Sequence, residues 1–91
     1  IGVMVADGGK TVLEADPEVS EAIDFAEYYL RSYKTMSACH DIEWKAKGTY
    51  LVASPWNFPI SIPAGGILGA LVMGNCVIFK PAPEAVLSGW V

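Results

Sequence analysis

Apolar residues recur at Val19, Ala22, Ile23, Ala26, Leu30 and Tyr33, the three-and-four spacing of one helix face, while Glu18, Glu21, Glu27 and Arg31 fall mostly off it. Asp16 before Pro17 marks a start, because the carboxylate accepts orphan amide bonds and a proline at the first helical position loses none. The pattern predicts a helix from Asp16 to about Tyr33, with acids leading and bases trailing as its dipole favours. Glu27 and Arg31 are spaced to pair across one turn. From Thr35 to Lys47 no period holds, and the segment reads as an irregular connection. Thr49–Ala53 is then a short β-rich run, Ile60–Met73 a buried helix with a small-residue face, and Cys76–Phe79 a second strand. Gly74-Asn75 supplies the stop between that helix and the last strand. Strands apolar on both faces belong to parallel sheets covered by helices. The expected fold class is therefore α/β: a long helix followed by a β-α-β unit, with residues 1–47 as helical lead-in and connection and residues 48–91 as the β-α-β part.

Charge sharpens this division. Of 16 charged residues in the 91-residue chain, only Lys80 and Glu84 lie beyond Gly48. A hydrophobic share of 53% argues against disorder, and a net charge of −4 argues against a nucleic-acid partner, which needs a clustered basic face. The uncharged stretch between Lys47 and Lys80 is long enough to raise a membrane span. Pro55, Pro59 and Pro63 interrupt it, however, and the remainder carries Gly65, Gly66, Gly69, Gly74 and Asn75, so soluble buried elements are the better reading. No secretory pattern opens the chain at Ile1, which reads as a fragment of a cytoplasmic protein. Cys39 and Cys76 are expected reduced and at least partly buried.

Parallel β-α-β units bind ligands beyond the carboxyl ends of their strands. Those ends are Ser54-Pro55-Trp56-Asn57 and Lys80-Pro81-Ala82-Pro83-Glu84, so the two charges of the second half sit where a ligand is expected. Cys39 beside His40 invites a catalytic reading, but adjacent side chains diverge, and no further Cys or His completes a metal site. A surface histidine is the simpler account.

Ser54-Pro55-Trp56-Asn57-Phe58-Pro59 resembles the Pro-Trp-Asn-Phe-Pro signature of the aldehyde dehydrogenase superfamily. The likeness extends through Gly74-Asn75-Cys76-Val77-Ile78-Phe79-Lys80-Pro81 and back to Glu21-Ala22-Ile23-Asp24-Phe25, covering most of the chain. Ile62-Pro63-Ala64-Gly65-Gly66 and Lys80–Glu84 look most like the dehydrogenase half of bifunctional proline-catabolic enzymes, which oxidise L-glutamate γ-semialdehyde (in equilibrium with 1-pyrroline-5-carboxylate) to glutamate. The resemblance implies part of a Rossmann-type NAD(P)-binding domain, NAD as cofactor with NADP as the alternative, and a small aldehyde as substrate.

Residue by residue, it implies that Asn57 donates its amide to the oxyanion of the reacting aldehyde. Taken alone, Asn57 equally suits a turn. Lys80 matches the lysine that reaches the adenosine ribose, against the plainer reading of a solvated strand end. The acid often found three positions beyond that lysine is replaced by Pro83, with Glu84 following; a Glu84 carboxylate at the ribose 2′-hydroxyl favours NAD over NADP, and without that contact the preference is open. Ser54, Pro55 and Trp56 match the nicotinamide side of the cleft, although Trp56 suits packing equally well. Cys76 lies within a strand and is not the nucleophile, which in the family comes from a later motif not contained here; the general base is likewise missing. The chain by itself is thus expected to be inactive, and self-associating or marginally stable. Oligomeric state is left open. The rival readings are a non-enzymatic nucleotide-binding or interaction module on the same scaffold, and a membrane-associated segment.

Overall fold

The computed structural model describes residues 1–91. Two helices lead: α1 (Gly2–Gly8) and the long α2 (Val12–Ser37). The β-α-β unit follows as β1 (Thr49–Ala53), α3 (Ser61–Val72) and β2 (Cys76–Lys80). A single 3-10 turn, Pro83–Ala85, then leads into a short closing helix, α4 (Val86–Trp90). No helix is long and apolar enough to cross a membrane.

β1 and β2 pair in parallel from Thr49 opposite Cys76 to Ala53 opposite Lys80, as the apolar runs and the intervening helix predict. Gly74 adopts φ 79°, the left-handed conformation that ends a helix and that glycine reaches without strain. Asn75 does more than stop α3. Its Oδ1 accepts from the backbone N–H of Lys47 (2.6 Å) and Gly48 (3.0 Å), and its Nδ2 donates to the Ala70 carbonyl (3.2 Å), tying the entry to β1 to the end of α3.

The long helix differs from expectation at its start and in its buried face. It begins five residues before Pro17, at a capping box in which the Thr11 side chain accepts from Glu14 N–H while the Glu14 carboxylate accepts from Thr11 N–H (3.0 Å). Pro17 sits inside the helix and removes only one backbone bond, that to the Leu13 carbonyl. The covered stripe runs Ala15, Glu18, Val19, Ala22, Phe25, Tyr29, Ser32 and Tyr33. It keeps Val19, Ala22 and Tyr33 of the expected face but leaves Ile23, Ala26 and Leu30 in solvent. The cause is α3, whose glycines present a flat surface: the Phe25 ring lies against Gly65 and Tyr29 against Gly69. Rings that fit that surface set the rotation of α2, and Glu18 is carried inward with them. The Glu27–Arg31 pair forms as spaced, on the exposed side.

One expectation about the strands is corrected. Val52 and Phe79 on one sheet face are partly covered, Val52 by α3 at Gly66 and Phe79 by α4 at Gly89. Leu51 and Ile78 on the other face are 66% and 60% exposed, because no element of the 91 residues packs there. Cys76 shares that open face, and Cys39 follows α2; both thiols are free and exposed rather than buried. The connection after α2 is irregular, pinned where Trp44 Nε1 donates to the Met36 carbonyl (3.1 Å).

Candidate functional site

β1 and β2 run side by side and end together, so the pairing of Ala53 with Lys80 fixes where the two candidate segments leave the sheet. Ser54 follows Ala53 directly. Its Oγ is enclosed and without a hydrogen-bond partner. Pro55, Trp56 and Asn57 are exposed, with Trp56 at 55%, which disfavours the packing account of this tryptophan within the chain.

Trp56, Asn57 and Phe58 form one wall of an open pocket of about 360 Å³, and Gly8, Gly9, Lys10 and Glu14 form the other. The second wall comes from the turn between α1 and α2. Gly9 has φ 70°, so the chain reverses there and brings Lys10 toward the β1–α3 loop, with its ammonium 4.2 Å from the centre of the Phe58 ring. Asn57 therefore presents an uncharged amide to a cleft rimmed by one cation and one acid.

Lys80 is exposed, its Nζ donating to the adjacent Pro81 carbonyl (2.9 Å), a local bond that a ligand oxygen readily replaces. Glu84 is exposed on the 3-10 turn four residues later. Lys80 and Glu84 share the carboxyl edge of the sheet with Ser54 and Pro55 but do not line the Asn57 pocket. The structure thus groups the six candidates into an amide-bearing cleft and a neighbouring strand-end surface. Cys39 and His40 lie in the connection after α2, and no cluster of ligating side chains suited to a metal forms.

Sequence reasoning missed Gly8, Gly9, Lys10 and Glu14. The available signal was the Gly-Gly turn followed by Thr11-x-x-Glu14, a capping-box spacing that dates the helix start and places Lys10 just outside it. Glu14 is more acidic than an ordinary glutamate. Hydrogen bonds from the Thr11 backbone and then its hydroxyl hold its pKa below the usual 4.5.

The chain is 41% identical over 88 residues to the bifunctional protein PutA of Rhizobium meliloti, an alignment covering 96% of this chain and 7% of that protein. The structure of Proline Utilization A from Corynebacterium freiburgense superposes with a TM-score of 0.92 at 47% identity, over 98% of this chain and 9% of that one. A 1-pyrroline-5-carboxylate dehydrogenase from Thermus, solved with bound NAD, superposes with a TM-score of 0.83 at 38% identity, over 96% of this chain and 19% of that one. The chain spans less than a fifth of each relative. From end to end, residues 1–91, it matches the aldehyde dehydrogenase family, and to that family it belongs.

Proposed function

We propose that this chain is part of a cytoplasmic, NAD-dependent aldehyde dehydrogenase that oxidises L-glutamate γ-semialdehyde to glutamate in proline catabolism. Residues 48–91 supply the β-α-β part of its dinucleotide-binding domain and residues 1–47 a helical lead-in. The observation that carries this reading is the parallel register that pairs Ala53 with Lys80, so that both strands end at one sheet edge, from which Ser54–Asn57 and Pro81–Glu84 continue. Relatives named for 1-pyrroline-5-carboxylate oxidation and proline utilisation support the substrate, and the NAD-bound neighbour supports the cofactor.

The strand-end residues fit a dinucleotide. Lys80 offers three donors to ribose hydroxyls and Glu84 an acceptor for a 2′-hydroxyl, with Ser54, Pro55 and Trp56 following β1 on the nicotinamide side. Bound there, NAD would supply the acceptor for the hydride leaving the aldehyde carbon. Asn57 holds the developing oxyanion: its amide donates to an oxygen gaining negative charge without gaining or losing a proton. Neither Cys39 nor Cys76 serves as nucleophile. Cys76 sits at the amino end of β2, away from the strand-end site, and Cys39 lies beyond α2. The 91 residues alone are therefore inactive.

The test is nicotinamide reduction by the full-length protein with glutamate γ-semialdehyde or a simple aliphatic aldehyde, each with NAD and then NADP. Strong preference for the semialdehyde with NAD is expected. Asn57→Ala should lower kcat by about 10²–10³-fold while leaving NAD affinity near the wild-type value. Turnover of simple aldehydes only would remove the substrate assignment, and an unchanged kcat in Asn57→Ala would remove the oxyanion role.

A further inference from the structure

Three residues beyond Asn57 the chain turns into α3, and Ile60 at that turn has no side-chain atom able to cap the helix. The missing acceptor comes from α2. Glu18, only 2% exposed, takes the N–H of Ile60 (2.6 Å) and of Ser61 (3.1 Å) on Oε1, while Oε2 pairs with the Lys10 ammonium. That same ammonium covers the Phe58 ring, next in sequence to Asn57. Between the two anchored points lies Pro59, buried and restricted in φ by its ring. The loop carrying Asn57 is thus gripped at Phe58 by a cation and at Ile60–Ser61 by a buried carboxylate, and the two grips are one ion pair.

We infer that the Lys10–Glu18 pair positions the Asn57 amide for the oxyanion, an inference that rests on the function proposed above. Neither side chain is assigned contact with reacting atoms, so both are positioning residues. An amide that meets charge arising only in the transition state contributes most when already in place, and a misplacement of about 1 Å can cost about 100-fold. A structural role alone would lower the amount of folded enzyme or weaken every step. A positioning role falls on kcat and disappears when Asn57 is already gone.

The experiment is steady-state kinetics of the full-length enzyme with glutamate γ-semialdehyde, with NAD binding measured separately by quenching of tryptophan fluorescence. Glu18→Ala should lower kcat by about tenfold or more with the NAD dissociation constant within about twofold of wild type. Glu18→Gln, which keeps an acceptor for the Ile60 and Ser61 amides, should recover kcat to within about threefold of wild type. In the Asn57→Ala background, Glu18→Ala should cost less than about twofold, the non-additivity expected of residues acting through one another. Should Glu18→Ala fail to fold, Lys10→Met, which keeps the aliphatic stem, reads the same kcat loss and the same non-additivity. A full tenfold loss on top of Asn57→Ala, or a loss confined to NAD affinity, overturns the positioning role while the enzyme assignment stands. A folded wild-type protein that fails to reduce NAD or NADP whichever aldehyde is supplied overturns both.

Discussion

Asn75 joins three parts of the fold with one amide, and its energetics follow from what its removal leaves behind. It is 8% exposed, and the two N–H groups it accepts, on Lys47 and Gly48, are partly buried where the chain enters β1. Asn75→Ala strands both donors, while the Ala70 carbonyl keeps the backbone N–H of residue 75 (3.1 Å). At about 1–3 kcal/mol for each buried group left unpaired, with water reaching part of the site, the expected loss is about 2–4 kcal/mol. Urea unfolding reads this as a lower midpoint at unchanged slope, whereas the exposed Ser37→Ala should stay within about 0.5 kcal/mol of wild type. Asn75 was legible in sequence as a helix stop because Gly-Asn is local turn chemistry. Its reach to Lys47 was not, since nothing local encodes a contact 27 or 28 residues away. The same distinction divides the candidate site. Ser54–Asn57 and Lys80 were readable as strand-end residues because their positions follow from the β-α-β order. Glu18 looked like a solvent-facing acid, since its partners Ile60 and Ser61 come together with it only in the folded chain.

The elements divide in a comparable way. β1 was legible to the residue, and α3 and β2 to within one, because apolar runs bounded by Gly, Pro and Asn leave little freedom in where a strand or helix ends. The start of α2 was misplaced, since Asp16-Pro17 and Thr11-x-x-Glu14 are competing signals. The capping box satisfies two orphan amides reciprocally, and the helix tolerates Pro17 for the loss of a single bond. Replacing Thr11 with Ala removes the side-chain acceptor and should cost about 1 kcal/mol, measured as a drop in thermal midpoint. Glu14 adds a pH dependence of definite sign. Its pKa is lowered in the folded state, so its contribution is fully present above the ordinary value near 4.5 and is lost as pH falls through the folded value. The stability difference between wild type and Glu14→Gln should accordingly hold steady from pH 7 to about 5 and shrink toward zero in stronger acid. A difference that grows on acidification would contradict the assigned sign.

The molecule as a whole has more surface than its mass accounts for. A folded monomer of 9.7 kDa should expose about 5,100 Å², whereas this chain exposes 6185 Å² and buries only 11 of its 91 residues. Its radius of gyration is 14.8 Å, against about 12 Å for a compact chain of this length. The excess lies on identifiable surfaces: the open sheet face of Leu51 and Ile78, the outer side of α2 at Ile23 and Leu30, and Trp90 at 86% exposure. The two strands also leave their outer backbone edges unpaired, the surface on which sheets add further strands. Prepared by itself, the 91-residue chain should therefore associate at micromolar concentrations, seen by sedimentation velocity as species heavier than 9.7 kDa. Leu51→Glu with Ile78→Lys places opposite charges directly across the register on the open face, keeping the pairing while making that face poorly suited to burial. The double variant should shift the distribution toward monomer. A wild-type chain that sediments as a monomer and melts in one sharp cooperative transition would show instead that α2, α3 and the Asn75 and Glu18 bonds suffice to hold the fold without the open face being covered.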